Sequence, residues 1–173
     1  MAISKAAVAI ILLAANLIQP NHDFDYQFGT WNVYVKRLIQ TPGGAPRWVD
    51  YSGTHVVTPL WNGRANIGVL EISGPSGSIE GMQLRLYNPA TKRWSLSFAS
   101  SNDGQLQRPS TGYFHNGIGE FRNTETIDGK SVIVRSESRV ITATSYRDVI
   151  SRSYDGGKTW TPVWTAVYDK RAR

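Results

Sequence analysis

Met82-Gln83-Leu84-Arg85-Leu86-Tyr87 and Arg93-Trp94-Ser95-Leu96-Ser97-Phe98-Ala99 flank the turn residues Asn88-Pro89-Ala90-Thr91. Apolar and polar side chains alternate with period two on both sides of the turn, which is the pattern of a β-hairpin with one buried face. Centring the turn on Ala90 sets Leu86 opposite Trp94, Leu84 opposite Leu96 and Met82 opposite Phe98. Gln83, Arg85, Tyr87, Ser95 and Ser97 then share the other side. One face is wholly apolar and is expected to line an interior.

Outward from this hairpin the same period recurs. Strands are expected at Trp31–Ile39, Trp48–Val57, Ala65–Ile72, Met82–Tyr87, Arg93–Ala99, Thr111–His115, Ile118–Glu125, Ser131–Val140, Thr144–Arg152 and Trp160–Tyr168. Pro42-Gly43-Gly44, Gly74-Pro75-Ser76-Gly77, Asn116-Gly117, Asp128-Gly129 and Asp155-Gly156-Gly157 punctuate them with turn chemistry. About ten short antiparallel strands joined by hairpins make an all-β, single up-and-down barrel, in which closure removes exposed edges. No repeat of twenty to fifty residues points to a propeller or solenoid.

The chain has 173 residues, 40% of them hydrophobic, with sixteen Gly, eight Pro and six Trp, which fits one turn-rich β domain. It has no cysteine, which excludes disulfides, thiolate metal sites, cysteine nucleophiles and a lipidated-cysteine anchor. The net charge is +6, but Lys and Arg are scattered except for Lys170, Arg171 and Arg173. A solvated, mildly cationic surface is expected, with no nucleic-acid partner. Lys5 followed by Ala6–Ala15 has the basic and apolar regions of a secretory signal. Residues 1–20 are therefore read as a signal peptide or N-terminal apolar segment, although no clean Ala-x-Ala precedes the barrel domain at 21–173. A periplasmic or secreted protein with no membrane span after leader removal is expected.

The later hairpins carry charge. With Asn116-Gly117 and Asp128-Gly129 as two-residue turns, Tyr113, His115, Glu120, Arg122, Arg135 and Glu137 fall on one face. Continuing the pairing places Arg147 opposite Glu137 and adds Trp164. Phe114, Phe121, Val132, Val134, Ile150, Val163 and Val167 fall on the other face. The charged set is either an outward ladder of weak ion pairs or an inward Arg-Glu-Arg cluster that binds a polar group or moves protons. A one-residue slip exchanges the two.

Ser153-Tyr154-Asp155-Gly156-Gly157-Lys158-Thr159-Trp160 matches an Asp-box, S-x-D-x-G-x-T-W, and a single copy reads as a self-tied hairpin. His22-Asp23-Phe24-Asp25, His55 and His115 lack the spacing of a metal set, and no metal or other cofactor is expected. Neither a Gly-x-Ser-x-Gly elbow nor a phosphate-binding loop is present.

The runs His22–Trp31, Leu84–Trp94 and Asp155–Trp160 resemble an uncharacterised bacterial lipocalin-like (calycin-type) family whose members are often exported. The resemblance implies that Gly29-Thr30-Trp31 opens the first strand and that Lys170 or Arg171 packs across the Trp31 indole as a plug of the barrel end. It identifies neither His55 nor His115 as an axial haem ligand.

Two functions follow. The first is binding of a small hydrophobic or amphipathic molecule in the cavity, with Met82, Leu84, Trp94, Leu96, Phe98 and Trp164 as wall and Arg135 or Arg147 meeting a polar head. The second is a cofactor-independent isomerase, lyase or hydrolase in the same cavity. There Glu120 or Glu137 is general base, Tyr113 general acid, and an Arg stabilises developing negative charge. A barrel with a filled interior, serving structure or interaction, is a third reading.

Overall fold

The computed structural model describes residues 21–41 and 43–171. The apolar leader and Arg173 lie outside the described residues. A short 3-10 helix, Asp25–Gln27, precedes ten strands: β1 Gly29–Ile39, β2 Arg47–Leu60, β3 Ala65–Gly74, β4 Gly77–Asn88, β5 Arg93–Ser100, β6 Ser110–His115, β7 Ile118–Ile127, β8 Lys130–Thr142, β9 Ser145–Ser153 and β10 Thr161–Lys170. Each pairs antiparallel with its neighbours in sequence, and β1 pairs with β10, closing an up-and-down barrel. Every strand thereby finds two partners, so no edge is left to recruit another chain.

The turns expected from dipeptide chemistry form. His115 pairs with Ile118 across Asn116-Gly117, and Ile127 pairs with Lys130 across Asp128-Gly129. All four turn residues have positive φ, the left-handed conformation that Asn, Asp and Gly accept most readily. The Asp-box is the β9–β10 hairpin. Asp155 Oδ1 accepts from Ser153 Oγ at 2.8 Å and from the Lys158 and Thr159 amides at 3.0 and 2.9 Å, while Thr159 Oγ1 donates to Asp155 Oδ2 at 2.6 Å. The Thr159 hydroxyl, backed by these other donors, holds the Asp155 carboxyl down at about 2.

Two registers differ from the pairing read from sequence. In the β4–β5 hairpin Asn88 pairs with Arg93, so Tyr87 faces Trp94, Arg85 faces Leu96 and Gln83 faces Phe98. The loop has four residues, Pro89 to Lys92; Asn88 Oδ1 accepts from the Ala90 and Thr91 amides, and Lys92 takes a φ of 54°. A turn centred on Ala90 implies an odd loop, and the single added residue turns β4 over relative to β5. Arg85 is therefore buried inside, while Met82, at 38% exposure, and Leu84 lie on the outer face. In the β9–β10 hairpin a bulge between Pro162 and Trp164 shifts the ladder, pairing Trp164 with Ile150. Trp164 turns inward and Val167 outward.

One end of the barrel is sealed by the segment before β1. Phe24 is 1% exposed and meets Trp94 edge-on at 4.8 Å, Phe114 edge-on at 5.0 Å and Phe121 stacked at 5.8 Å. Trp94 Nε1 donates to Asp23 Oδ2 at 2.9 Å, and Trp31 Nε1 donates to the Gln27 carbonyl at 2.6 Å. Of the two cations implied for the Trp31 indole, Lys170 occupies the place. Its ammonium lies 4.2 Å from the ring centroid and donates to the Phe28 carbonyl. The His22-Asp23-Phe24-Asp25 run thus builds this seal, with His22 and Asp25 joined to each other on the surface.

Phe24→Ala removes the ring on which three aromatics converge and should lower unfolding free energy by about 3–5 kcal/mol. Tyr113→Ala, on the outer face, should change it by no more than about 0.5 kcal/mol. Urea denaturation followed by tryptophan fluorescence checks both.

Candidate functional site

Inside the barrel the alternation brings polar groups together as well as apolar ones. The open end is a vestibule of about 630 Å³ walled by Leu70, Ile79, Leu96, Phe98, Ile150 and Trp164. Arg37, Arg108 and Arg152 line it, against one acidic residue, Glu125. Beneath it lies a chamber of about 100 Å³ that shares Leu70, Gln83, Leu96, Phe98, Ser136, Ile150 and Trp164 with the vestibule and adds Gln27, His55, Gly68, Gly81, Arg85, Phe121, Glu137, Ser138, Asp148 and Tyr168. Gln27 comes from the sealing segment, so the seal is also the chamber's floor.

The polar side chains in and behind the chamber's walls fall into two groups. Around Ser138 on β8, its hydroxyl donates to Asp148 Oδ1, lies 2.7 Å from the Tyr26 hydroxyl, and accepts from Gln27 Nε2 at 2.9 Å. Tyr168 also hydrogen-bonds to Asp148 and stacks on Tyr146 at 4.1 Å. On the facing wall Arg85 Nη1 donates to Asn66 Oδ1 at 2.7 Å, with the guanidinium 5.0 Å from the centroid of the Phe24 ring. His55 lines the chamber from β2, its Nδ1 lying 2.9 Å from the Tyr146 hydroxyl. Gly68 makes room for both side chains of that wall. A Cβ there would come within 2.6 Å of His55 Nε2 and 3.5 Å of Arg85 Nη1.

Burial, helped by the positive charge of Arg85, pushes the His55 imidazole down to about 3, so it is neutral at ordinary pH. Burial raises the Asp148 carboxyl above its ordinary value, while the Ser138 hydrogen bond, the Arg85 charge and the Tyr168 hydrogen bond oppose that rise. Tyr26, Tyr146 and Tyr168 are all driven upward, chiefly by burial, and remain phenols.

The residues expected from sequence separate into three places. Leu96, Phe98 and Trp164 line the vestibule and chamber. Trp94 is buried within the seal, and Met82 and Leu84 are outside. Tyr113, Glu120, Arg135, Glu137 and Arg147 share the outer face, which corrects the inward reading. Arg122 pairs with Glu120 at 2.8 Å and Arg135 with Glu137 at 3.2 Å. The two guanidinium carbons lie 5.4 and 4.2 Å from the Trp160 centroid, so the Asp-box tryptophan packs on this ladder. Tyr113 is 50% exposed under Arg93. Arg147 faces Arg139, not Glu137, because the turn falls at Ala143-Thr144, beyond Thr142, with a bulge between Val140 and Thr142. It borders an outer groove of about 720 Å³ with Tyr34, Lys36, Asp50 and Ile141.

Sequence reasoning missed Arg85, Asn66, His55, Ser138, Asp148 and the tyrosines. Part of this was available: the pairing that puts Ile150 inside also puts Asp148 and Tyr146 there. Arg85 was hidden by the one-residue difference in the β4–β5 turn.

No family profile matches the sequence, and no curated protein matches it. Among solved structures the chain is similar to a redesigned beta barrel, mFAP1, bound to DFHBI, at 11% identity and a TM-score of 0.47, covering 87% of this chain and 100% of that one. It is also similar to a protein of unknown function of the DUF3598 family from Nostoc punctiforme, at 9% identity and a TM-score of 0.22, covering 87% of this chain and 98% of that one.

The His55 imidazole gives a pH signature. Unfolded, it protonates near its ordinary value of about 6.5; folded, only near 3. Between these values the unfolded chain binds the extra proton, so stability falls as pH is lowered through the window. Asp148 acts in the opposite sense, since its raised value makes the native state the better proton acceptor. His55→Gln should therefore flatten the loss of stability between about pH 7 and about pH 4 by up to one proton's worth of slope. Denaturant midpoints across that range provide the test, and parallel curves for the two proteins would contradict it.

Proposed function

We propose that this protein binds a small amphipathic molecule inside its barrel, admitted through the open end. The observation that carries the reading is the asymmetry of the interior: a wide apolar vestibule at one end, a small polar chamber below it, and an aromatic seal at the other end. A vestibule of about 630 Å³ is of the size that encloses small organic ligands. Apolar walls with a few convergent polar groups give such sites affinity and orientation together. Arg135 and Arg147 cannot meet the ligand's head from the outer face, so that role passes to interior groups.

The same reading makes the chain a lipocalin-like barrel, supported by Gly29-Thr30-Trp31 opening β1 and by Lys170 across the Trp31 indole. Export to the periplasm or beyond belongs to it too, supported by the basic and apolar pattern of the leader.

Titration with the neutral fluorophore N-phenyl-1-naphthylamine tests the proposal. Phe98→Arg places a charge among the apolar walls and should weaken binding by about tenfold or more, while Arg135→Ala and Arg147→Ala should leave it unchanged. Equal affinity for Phe98→Arg and the parent, with both folded by circular dichroism, would sink it.

A further inference from the structure

The inner chamber holds a guanidinium, Arg85, and a carboxyl group, Asp148, that do not touch; Glu137 also borders it, with its side chain paired to Arg135 in the outer ladder. Arg85 and Asp148 both line it, yet no ion pair joins them. The guanidinium is held by Asn66 and the Phe24 ring, and the carboxylate by Ser138 and Tyr168. Buried charges of opposite sign ordinarily meet, because direct contact offsets the cost of leaving water. Here each is anchored to its own wall, with the chamber between. His55, neutral in the fold, adds no charge.

Satisfaction of donors is incomplete on the Arg85 wall. Arg85 Nε and Asn66 Nδ2 have no hydrogen-bond partner although both are buried, and Arg85 as a whole is 2% exposed. Orphaned buried donors are rare in native folds and call for a reason. On the opposite wall Asp148 and the neighbouring Ser136 of β8 keep some accessible surface, as does Gln83 next to Arg85 on β4. One wall is thus rich in donors and the other offers an acceptor.

Charge decides what fits. An anionic head meets Arg85 favourably but confronts the Asp148 carboxylate, and a cationic head does the reverse. A neutral head with an acceptor on one side and a donor on the other satisfies both walls without adding net charge. Size points the same way: about 100 Å³ corresponds to roughly three water-sized groups at about 30 Å³ each. A carboxamide has three heavy atoms.

Building on the binding function proposed above, we infer that the chamber is the subsite for a neutral, dipolar head group, in its simplest form a primary carboxamide. Its carbonyl oxygen turns to Arg85, its N–H to Asp148, and its apolar tail lies in the vestibule against Leu96, Phe98 and Trp164. The arginines at the mouth, Arg37, Arg108 and Arg152, are the competing place for a head, and they would select an anion.

Four ligands with one tail separate these cases: octanamide, octanoate, octan-1-ol and octylammonium, each measured by displacement of N-phenyl-1-naphthylamine. The amide should bind most tightly in the native protein, about tenfold better than either charged head. Asp148→Asn leaves Arg85 without its opposing charge and should shift preference toward octanoate. Arg85→Gln should shift it toward octylammonium. Octanoate binding most tightly to the native protein, or a ranking unmoved by both substitutions, would overturn the assignment; the native ranking alone decides should either variant fail to fold. If the fluorophore binds and none of the four displaces it, the head-group assignment falls while the binding function stands. Failure of the fluorophore to bind would overturn the binding function, and this inference with it.

Discussion

The indole of Trp31 is fixed from two directions. Its N–H donates to the Gln27 carbonyl and the Lys170 ammonium lies across its face, itself tied to the Phe28 carbonyl. These contacts bind the segment before β1 to the first and last strands at the place where the barrel closes. With that segment held, Phe24 fills the end between β5, β6 and β7, and Gln27 reaches the interior to meet Ser138. The seal decides which end can admit a molecule and forms the floor on which it would rest. Without it the barrel would be a tube, and the polar groups around Ser138 would face water from below.

Closure imposes a second constraint, which is parity. In a closed antiparallel barrel each residue faces either in or out, and a hairpin loop one residue longer or shorter exchanges the two sets for a whole strand. That is how β4, whose apolar residues Met82, Leu84 and Leu86 look like a core face, comes to place Gln83 and Arg85 inside. The outward side chains of β4 pack beside equally apolar neighbours: Met82 pairs with Val69, and Leu84 with Ile67. Burying Arg85 in place of a leucine costs stability unless its charge and donors are accommodated, and Asn66, the Phe24 face and the potential of Asp148 do so only in part.

The legibility of the sequence follows from the same two constraints. Strand number, the Asn116-Gly117 and Asp128-Gly129 turns and the Asp-box hairpin depend on local chemistry, and a local reading finds them, whereas the role of Trp31 comes from the family resemblance. The in-or-out assignment was legible where a two-residue turn fixes the register, so Phe114, Phe121, Val132, Val134 and Ile150 face inward as the pairing implies. It failed at the four-residue β4–β5 loop and at the Pro162/Trp164 bulge, where the chain's length and its ladder disagree by one residue. The charged outer ladder misled for a different reason. Glu120, Arg122, Arg135 and Glu137 form a tidy constellation on one face, but exposed ion pairs arise on any solvated sheet and contribute little. The buried set has no comparable pattern in sequence, because Arg85, Asn66, His55, Ser138 and Asp148 come from five different strands and meet only when the barrel closes.

Ser138 joins the two halves of this picture. Its hydroxyl contacts Tyr26 and Gln27 of the seal on one side and the Asp148 carboxylate of the chamber on the other. Each group leans on the next: Asp148 is held by Ser138 and Tyr168, Tyr168 stacks on Tyr146, and Tyr146 meets both His55 and the Trp31 ring. Polar networks in a core are stabilising only when nearly every member is satisfied, and here the portion that holds the seal is satisfied except at Gln27 Oε1. Two further unsatisfied atoms, Arg85 Nε and Asn66 Nδ2, lie on the opposite wall. The barrel can therefore keep its closed end and its floor whether or not the chamber is filled, and the head group proposed above would complete the wall that the fold leaves incomplete.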